Sequence, residues 1–258
     1  MENAYTQGLF PLVKKENLAK DVYSFTVLAP NIARAAEPGQ FVHIAVRGHA
    51  LRRPISICSA DTKNGLFRII FAIKGEGTRE LSACSEGSCL DVSGPLGKGF
   101  TLLGKDKKVL LAGGGLGVPP MVFLSSYYGA SAKAVCGFRN AAAVIAEDDF
   151  RRNETPVTVA TDDGSYGVKG TVAVPLKEIL SSGEKFDMIY TCGPEPMMKA
   201  VAGLAEEFSV PCEVSLERHM GCGIGACLTC ACKIKRNGET EYLRACKDGP
   251  VFNAKEVW

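Results

Sequence analysis

The chain has 258 residues, 46% hydrophobic and 22% charged, enough apolar material for packed cores, and this excludes a disordered polypeptide. Thirty Lys and Arg against 28 Asp and Glu leave a net charge of +2 with no long run of either sign. That balance argues against a nucleic-acid or membrane partner and for a small molecule or another protein.

The opening residues lack a basic start followed by an apolar run, and no stretch approaches the roughly 18 apolar residues of a membrane span. A cytoplasmic location is therefore expected. Eleven cysteines in that reducing setting are not a disulfide framework, so metal or redox chemistry becomes the leading question.

Length favours two domains and a small appendage. Residues 22–27, 41–46 and 67–73 are β-rich runs separated by turns at Pro38-Gly39 and Asn64-Gly65, and they predict an antiparallel β-barrel over residues 1–102. Near Lys107 the texture changes: residues 108–112 read as a doubly buried strand entering a glycine loop. Further strands at 134–136, 157–160 and 187–191 alternate with helical stretches at 141–150, 174–180 and 195–208, predicting a doubly wound parallel α/β domain over 103–210. After Pro211 the pattern dissolves into a Cys/Gly-rich loop, a strand at 229–235, an Asn237-Gly238 turn and a tail. This segment, 211–258, is too small for a core of its own, so a bound cluster is expected to hold it together.

Cys222, Cys227 and Cys230, followed by Cys246, have the C-x4-C-x2-C…C spacing that grips a plant-type 2Fe-2S cluster. One tight loop must aim three thiolates at two irons with its amides facing the sulfurs, and Gly221, Gly223 and Gly225 give the backbone that freedom. A structural zinc or a Cys-x-x-Cys redox pair would also use Cys227 and Cys230, but zinc ribbons want two close pairs and the distal half here offers one cysteine. Cys232 shares a strand face with Cys230 and reads either as a spare ligand or as a free buried thiol.

Arg53-Pro54-Ile55-Ser56 offers an arginine for a pyrophosphate and a hydroxyl for a flavin ring. The turn Lys74-Gly75-Glu76-Gly77-Thr78 opens a helical run whose first amides would face phosphate; an ordinary Thr78 N-cap is the plain alternative. In the α/β half, Gly113, Gly114, Gly115 and Gly117 join a strand to a helix, although Val118 stands where a strict G-x-G-x-x-G has its third glycine. Cys192 and Gly193 end a later strand at the sheet edge where ligands gather, which places Cys192 beside a nicotinamide as the candidate catalytic residue, or leaves it a small buried thiol. Asp162 and Asp163 end another strand, either selecting NAD through its ribose hydroxyls or simply solvating a turn.

Together these motifs resemble the ferredoxin reductase-like superfamily over nearly the whole chain, in matching order. Within it, residues 215–227 and 246–252 are similar to the electron-transfer subunits of an NAD-linked dehydrogenase of pyrimidine biosynthesis. The resemblance implies FAD held by Arg53, Pro54, Ile55 and Ser56, by Ile70, Phe71 and Ala72, and by Gly77 and Thr78, with the cluster on Cys222, Cys227, Cys230 and Cys246. Many members have an aromatic where Ile55 stands, so ring stacking must come from elsewhere.

The implied partner is a separate FMN-containing catalytic subunit, two of each forming a heterotetramer, with electrons passing through cluster and FAD to NAD. Two other readings share the motifs. One is the small subunit of a ferredoxin-dependent NAD(P) reductase or sulfide dehydrogenase, some of which replace one cluster cysteine by aspartate. The other is a redox sensor without turnover.

Overall fold

The computed structural model describes residues 5–236 and 238–258, so Asn237 of the expected turn lies outside the described residues. Six strands, β1 (Thr6–Ala19), β2 (Val22–Leu28), β3 (Phe41–Ile44), β4 (Arg53–Asp61), β5 (Leu66–Ala72) and β6 (Cys89–Leu96), close an antiparallel barrel in the order β1-β2-β5-β4-β3-β6. Alternating side chains such as Phe25, Val27, Val42, Ile44, Ile57 and Ile69 fill its interior, and closure leaves no sheet edge unpaired. Helices α1 (Pro30–Ala35) and α2 (Glu76–Ser82) sit in its connections.

The second half runs β7 (Val109–Gly114), α3 (Val118–Tyr128), β8 (Ala132–Phe138), α4 (Glu147–Arg152), β9 (Val157–Thr161), β10 (Val168–Lys169), α5 (Ala173–Ser181), β11 (Met188–Cys192), α6 (Glu195–Glu207) and β12 (Cys212–Ser215). These strands form a parallel sheet whose order, β10-β9-β8-β7-β11-β12-β15, also takes in the antiparallel β15 (Val251–Asn253). Chain order reverses between β7 and β11. In an open α/β sheet the crevice for a ligand forms outside the carboxyl ends of the strands at such a reversal. The hairpin β13 (Ala231–Arg236) and β14 (Glu239–Arg244), and the last helix α7 (Ala254–Val257), complete the chain. No helix among the described residues is long and apolar enough to cross a membrane.

Three expectations need correction. The stretch 141–150 is not one helix: a single 3-10 turn at Ala141–Ala143 is followed by extended chain, and α4 begins only after Ala146, whose φ is +59°. Burial of Ile145 and Phe150 on the sheet overrides the helical preference of the alanines. Second, the pattern does not dissolve at Pro211, because β12 immediately extends the sheet. Third, the C-terminal segment is not without an apolar core: Cys232, Ile234, Ala245, Phe252 and Ala254 are buried in the same core as Leu176, Val201 and Val214 of the α/β half.

A chain of hydroxyls fixes the linker between barrel and sheet. Tyr190 donates to the carbonyl of Thr101 (2.6 Å), Tyr128 and Tyr190 share a bond of 2.9 Å, and the amide of Leu103 donates to Tyr128 (2.9 Å). Tyr190→Phe removes two of these bonds inside a buried site, so a loss of about 1–3 kcal/mol is expected. Thermal melting should show it as a fall of roughly 2–4 °C per kcal/mol.

Candidate functional site

The cysteine loop runs from Gly221 to Cys230 between β12 and the hairpin. Gly223 (φ +74°) and Gly225 (φ +85°) adopt left-handed backbone that turns the chain back on itself. The amides of Ala226 and Cys227 thereby donate to the Cys222 sulfur (3.2 and 3.4 Å), and the amide of Cys222 donates to the Cys227 sulfur (3.4 Å). Thr229 adds its hydroxyl to the Cys227 sulfur (3.2 Å). On the buried side, the amide of Cys246 donates to the Cys230 sulfur (3.4 Å).

The four sulfurs thus fall into two pairs, 222 with 227 and 230 with 246. Among the described residues no three His, Cys, Asp or Glu side chains close on one point. Two pairs suit a two-iron centre, in which each iron takes two thiolates.

Electrostatics follow the same division. The Thr229 hydroxyl and amide and the Cys222 amide lower the Cys227 thiol to about 6. At Cys222 burial pushes the other way, yet amides from Ile224, Cys227 and Ala226 win and the thiol is lowered. Cys246 is raised to about 12, chiefly by burial and then by its hydrogen bond with Cys230. Cys227 and Cys222 are therefore thiolate-ready, and Cys246 gives up its proton when a cation takes its place. Arg244 anchors the loop, donating to the Gly225 carbonyl (3.0 Å) while gripping Asp248 (2.8 Å). Cys232 points into the core with Ile234, its sulfur 3.5 Å from the Cys230 carbonyl.

In the barrel, Arg53 to Ser56 form the start of β4. Ile55 and Phe71 turn into the barrel core, and Ile70 packs against the α3 side, so these three offer backbone rather than side chain to a ligand. Pro54 and Ser56 lie on the outer face of β4, where Ser56 pairs with Phe41. The guanidinium of Arg53 lies on Gly77, where any Cβ would collide with it, so the glycine opens the place the arginine occupies.

The Thr78 hydroxyl is committed to its own turn: it accepts from the amides of Lys74 (2.8 Å) and Gly75 (3.2 Å). Helix α2 has only seven residues and a weak dipole, so the positive charge seated on its first turn is that of Arg53. Gly77→Ala should push the guanidinium off its seat and weaken FAD binding about tenfold, roughly 1.4 kcal/mol. A flavin fluorescence titration of the deflavinated chain reads this out, and unchanged affinity would contradict the role given to Arg53.

At the reversal between β7 and β11 the glycine loop and Cys192-Gly193 face each other. A Cβ on Gly117 would run into the Cys192 carbonyl, and one on Gly193 would lie 3.0 Å from the Gly114 amide and carbonyl. Gly113 serves the close approach of α3, where Val118 is its neighbour. Burial raises the Cys192 thiol to about 12, with the Ser215 hydroxyl opposing, so it stays protonated at neutral pH. Asp163 is occupied locally, accepting from the Ser165 amide and hydroxyl (2.9 and 2.6 Å).

Barrel, doubly wound sheet and cysteine loop define a ferredoxin reductase-like oxidoreductase with an iron-sulfur module. Residues 9–100 match the oxidoreductase FAD-binding domain, and residues 217–258 match the iron-sulfur cluster binding domain of dihydroorotate dehydrogenase B. The chain belongs to the family of dihydroorotate dehydrogenase B (NAD(+)) electron transfer subunits. It is 42% identical to the member from Desulforamulus reducens, over 93% of this chain and 94% of that protein. With the Geobacillus thermodenitrificans member it shares 43% identity, over 95% and 96%.

Among solved structures, an NADH-dependent reduced ferredoxin-NADP oxidoreductase studied for flavin-based electron bifurcation aligns with a TM-score of 0.85 and 34% identity, covering 97% of this chain and 90% of that one. Phthalate dioxygenase reductase shares the fold at a TM-score of 0.64 and 20% identity, over 93% and 77%.

Proposed function

We propose that this chain carries electrons between NAD(H) and a separate FMN-bearing dihydroorotate dehydrogenase subunit, serving pyrimidine biosynthesis in the cytoplasm as a heterotetramer of two of each chain. Its cofactors are FAD, a 2Fe-2S cluster and NAD. The observation that carries the reading is the pairing of Cys222 with Cys227 on a loop packed against the flavin barrel, and of Cys230 at the end of that loop with Cys246 from beyond the hairpin. These four are the proposed iron ligands.

FAD held here would supply the conversion that a two-electron nicotinamide and a one-electron cluster need between them. Arg53 would neutralise the pyrophosphate of a bound FAD, the backbone of Gly77 and Thr78 would leave it room, and Ser56 would line the flavin with the main chain of Pro54, Ile55, Ile70, Phe71 and Ala72. Gly113, Gly114, Gly115 and Gly117 open the space for the dinucleotide phosphates. With Gly193, Cys192 would line a bound nicotinamide as a neutral thiol. Functionally the chain divides at 1–102, 103–210 and 211–258, although β12 and β15 tie the last segment into the sheet.

Beside the exposed sulfur of Cys227, Ile224 and Leu228 stand 54% and 62% exposed, an apolar rim suited to a docked subunit. Electrons are therefore expected to leave or enter here. The purified chain should carry FAD and iron and reduce dyes with NADH, yet turn over orotate only after the FMN subunit is added. Orotate turnover by the chain alone would overturn this division.

A second reading, the small subunit of a ferredoxin-linked NAD(P) reductase, is favoured by the 0.85 likeness to the bifurcating oxidoreductase. Turnover with ferredoxin in place of the FMN subunit would decide for it.

A further inference from the structure

Arg244 ends β14 two residues before Cys246 and builds the turn that carries it. Its carbonyl accepts from the amides of Lys247 (3.1 Å), Asp248 (2.8 Å) and Gly249 (3.1 Å), and its own amide donates to the Asp248 carboxylate (2.9 Å). The side chain then leaves this turn for the loop of Cys222 and Cys227. Nε and Nη2 grip the two oxygens of Asp248 (2.8 and 3.1 Å), which fixes the plane of the guanidinium, and Nη1 donates to the Gly225 carbonyl (3.0 Å). Gly225 rests on the same turn, since a Cβ there would lie 2.6 Å from the Lys247 side chain.

The carbonyl of Gly225 and the N–H of Ala226 belong to one trans peptide unit and point in opposite directions. Its oxygen takes Arg244, and its N–H donates to the Cys222 sulfur at 3.2 Å, closer than the 3.4 Å of the Cys222 and Cys227 amides to their sulfurs. A cation on the oxygen of an amide polarises its N–H, so the two bonds strengthen each other. Hydrogen bonds to the sulfurs are among the features that set the potential of an iron-sulfur centre, and donors favour its reduced, more negative state.

The charge of Arg244 also reaches the buried pair: its pKa is held up first by the Asp248 bond, against burial, and further by Cys246 and Cys230. Asp248, at 2.8 Å, offsets much of that field at longer range. The directed bond through the peptide has no such offset.

We propose that Arg244 is a positioning residue for the cluster, which fixes and polarises the 225–226 peptide so that its N–H stays on the Cys222 sulfur and raises the potential at which the cluster is reduced. The proposal rests on the reading above that Cys222 and Cys246 are iron ligands.

The test is a potentiometric titration of the intact, FAD-loaded chain, followed by electron paramagnetic resonance. Three forms are compared: the native chain, Arg244→Met, which has reach without a donor, and Arg244→Lys, which keeps a cationic donor for the Gly225 carbonyl. In Arg244→Met the ratio of reduced to oxidised cluster at a fixed potential should fall about three- to tenfold, equivalent to roughly 28–59 mV for one electron. Arg244→Lys should stay within about twofold of the native ratio. The exchangeable-proton hyperfine couplings of the reduced cluster should weaken in Arg244→Met and persist in Arg244→Lys.

Equal shifts in both variants, no shift in either, or a shift confined to the flavin would overturn the proposal. So would a shifted potential with unaltered proton couplings, because a field acting through space would then suffice. Should Arg244→Met lose its cluster, Arg244→Gln, a neutral donor, takes its place and should fall at least about twofold below Arg244→Lys; an equal ratio would overturn the proposal. Loss of the cluster in Arg244→Lys or in every variant, with FAD retained, would leave the arginine a packing role only and overturn it as well. A native chain without any paramagnetic reduced cluster would instead sink the ligand assignment itself, and the proposal with it.

Discussion

Replacing Cys246 by serine should abolish electron output through the cluster while leaving a folded flavoprotein. Cys246 is 2% exposed and is the ligand candidate that arrives from outside the loop, its amide already bonded to the Cys230 sulfur. Serine is a poorer donor to iron than thiolate. Removing even groups that merely orient a ligand typically costs about 10–100-fold in metal affinity, so loss of a ligand should exceed about a hundredfold.

The visible and paramagnetic signals of the cluster should disappear, and with them reduction of acceptors fed through it. Bound FAD is the internal control. Because Cys232, Ile234 and Phe252 share the core of the α/β half, the C-terminal segment should stay packed, with new proteolytic cleavage confined to residues 221–230. General unfolding of the segment would show that the cluster, not the core, holds it.

The second large effect is expected of Gly117→Ala. Its Cβ would run into the carbonyl of Cys192 and approach the amide of Gly193, and both are backbone. Neither can step aside as the flexible arginine over Gly77 can. Overpacking of this kind costs about 1–3 kcal/mol, here spent in separating the two loops that frame the crevice at the strand reversal. The KM for NADH should rise about 10–100-fold with FAD content intact, the kinetic counterpart of roughly 1.4–2.8 kcal/mol. An unaltered KM would remove the glycine loop from the nicotinamide site.

The parts that were legible in the sequence are those whose physics is local. Thiolate spacing within one loop is set by nine residues, so the gathering of Cys222, Cys227 and Cys230 on one turn could be anticipated without the fold. Alternation in β2 and β5 and the unbroken apolar run of β7 revealed barrel and parallel sheet, because burial on one face or two imprints its period directly.

What was hidden depends on distant partners. Strands β12 and β15 span four and three residues, too short for any period, and exist because β11 and then β12 offer them an edge. The alanines after Asn140 favour helix locally, but Ala146 takes a left-handed turn that lets Ile145 and Phe150 reach the core.

The Thr78 hydroxyl closes the turn from Lys74 and so leaves only its backbone to a ligand, a division that the glycine-rich run alone does not announce. Ile55 and Phe71 sit in a flavin motif, yet strand alternation sends their side chains inward. His43 left no signal at all: a single histidine in an apolar strand belongs to no motif, and the residue that packs on its ring, Gly223, lies far along the chain.

The central claim is that the four cysteines hold two irons in electronic contact with a flavin that NADH reduces. Anaerobic addition of NADH to the purified chain, with metal analysis and paramagnetic resonance on the same sample, tests it most directly. The expected result is roughly two irons per chain and a reduced-cluster signal that grows in once the flavin has bleached. Stoichiometric zinc, or iron that stays silent while NADH bleaches the flavin, would contradict the account.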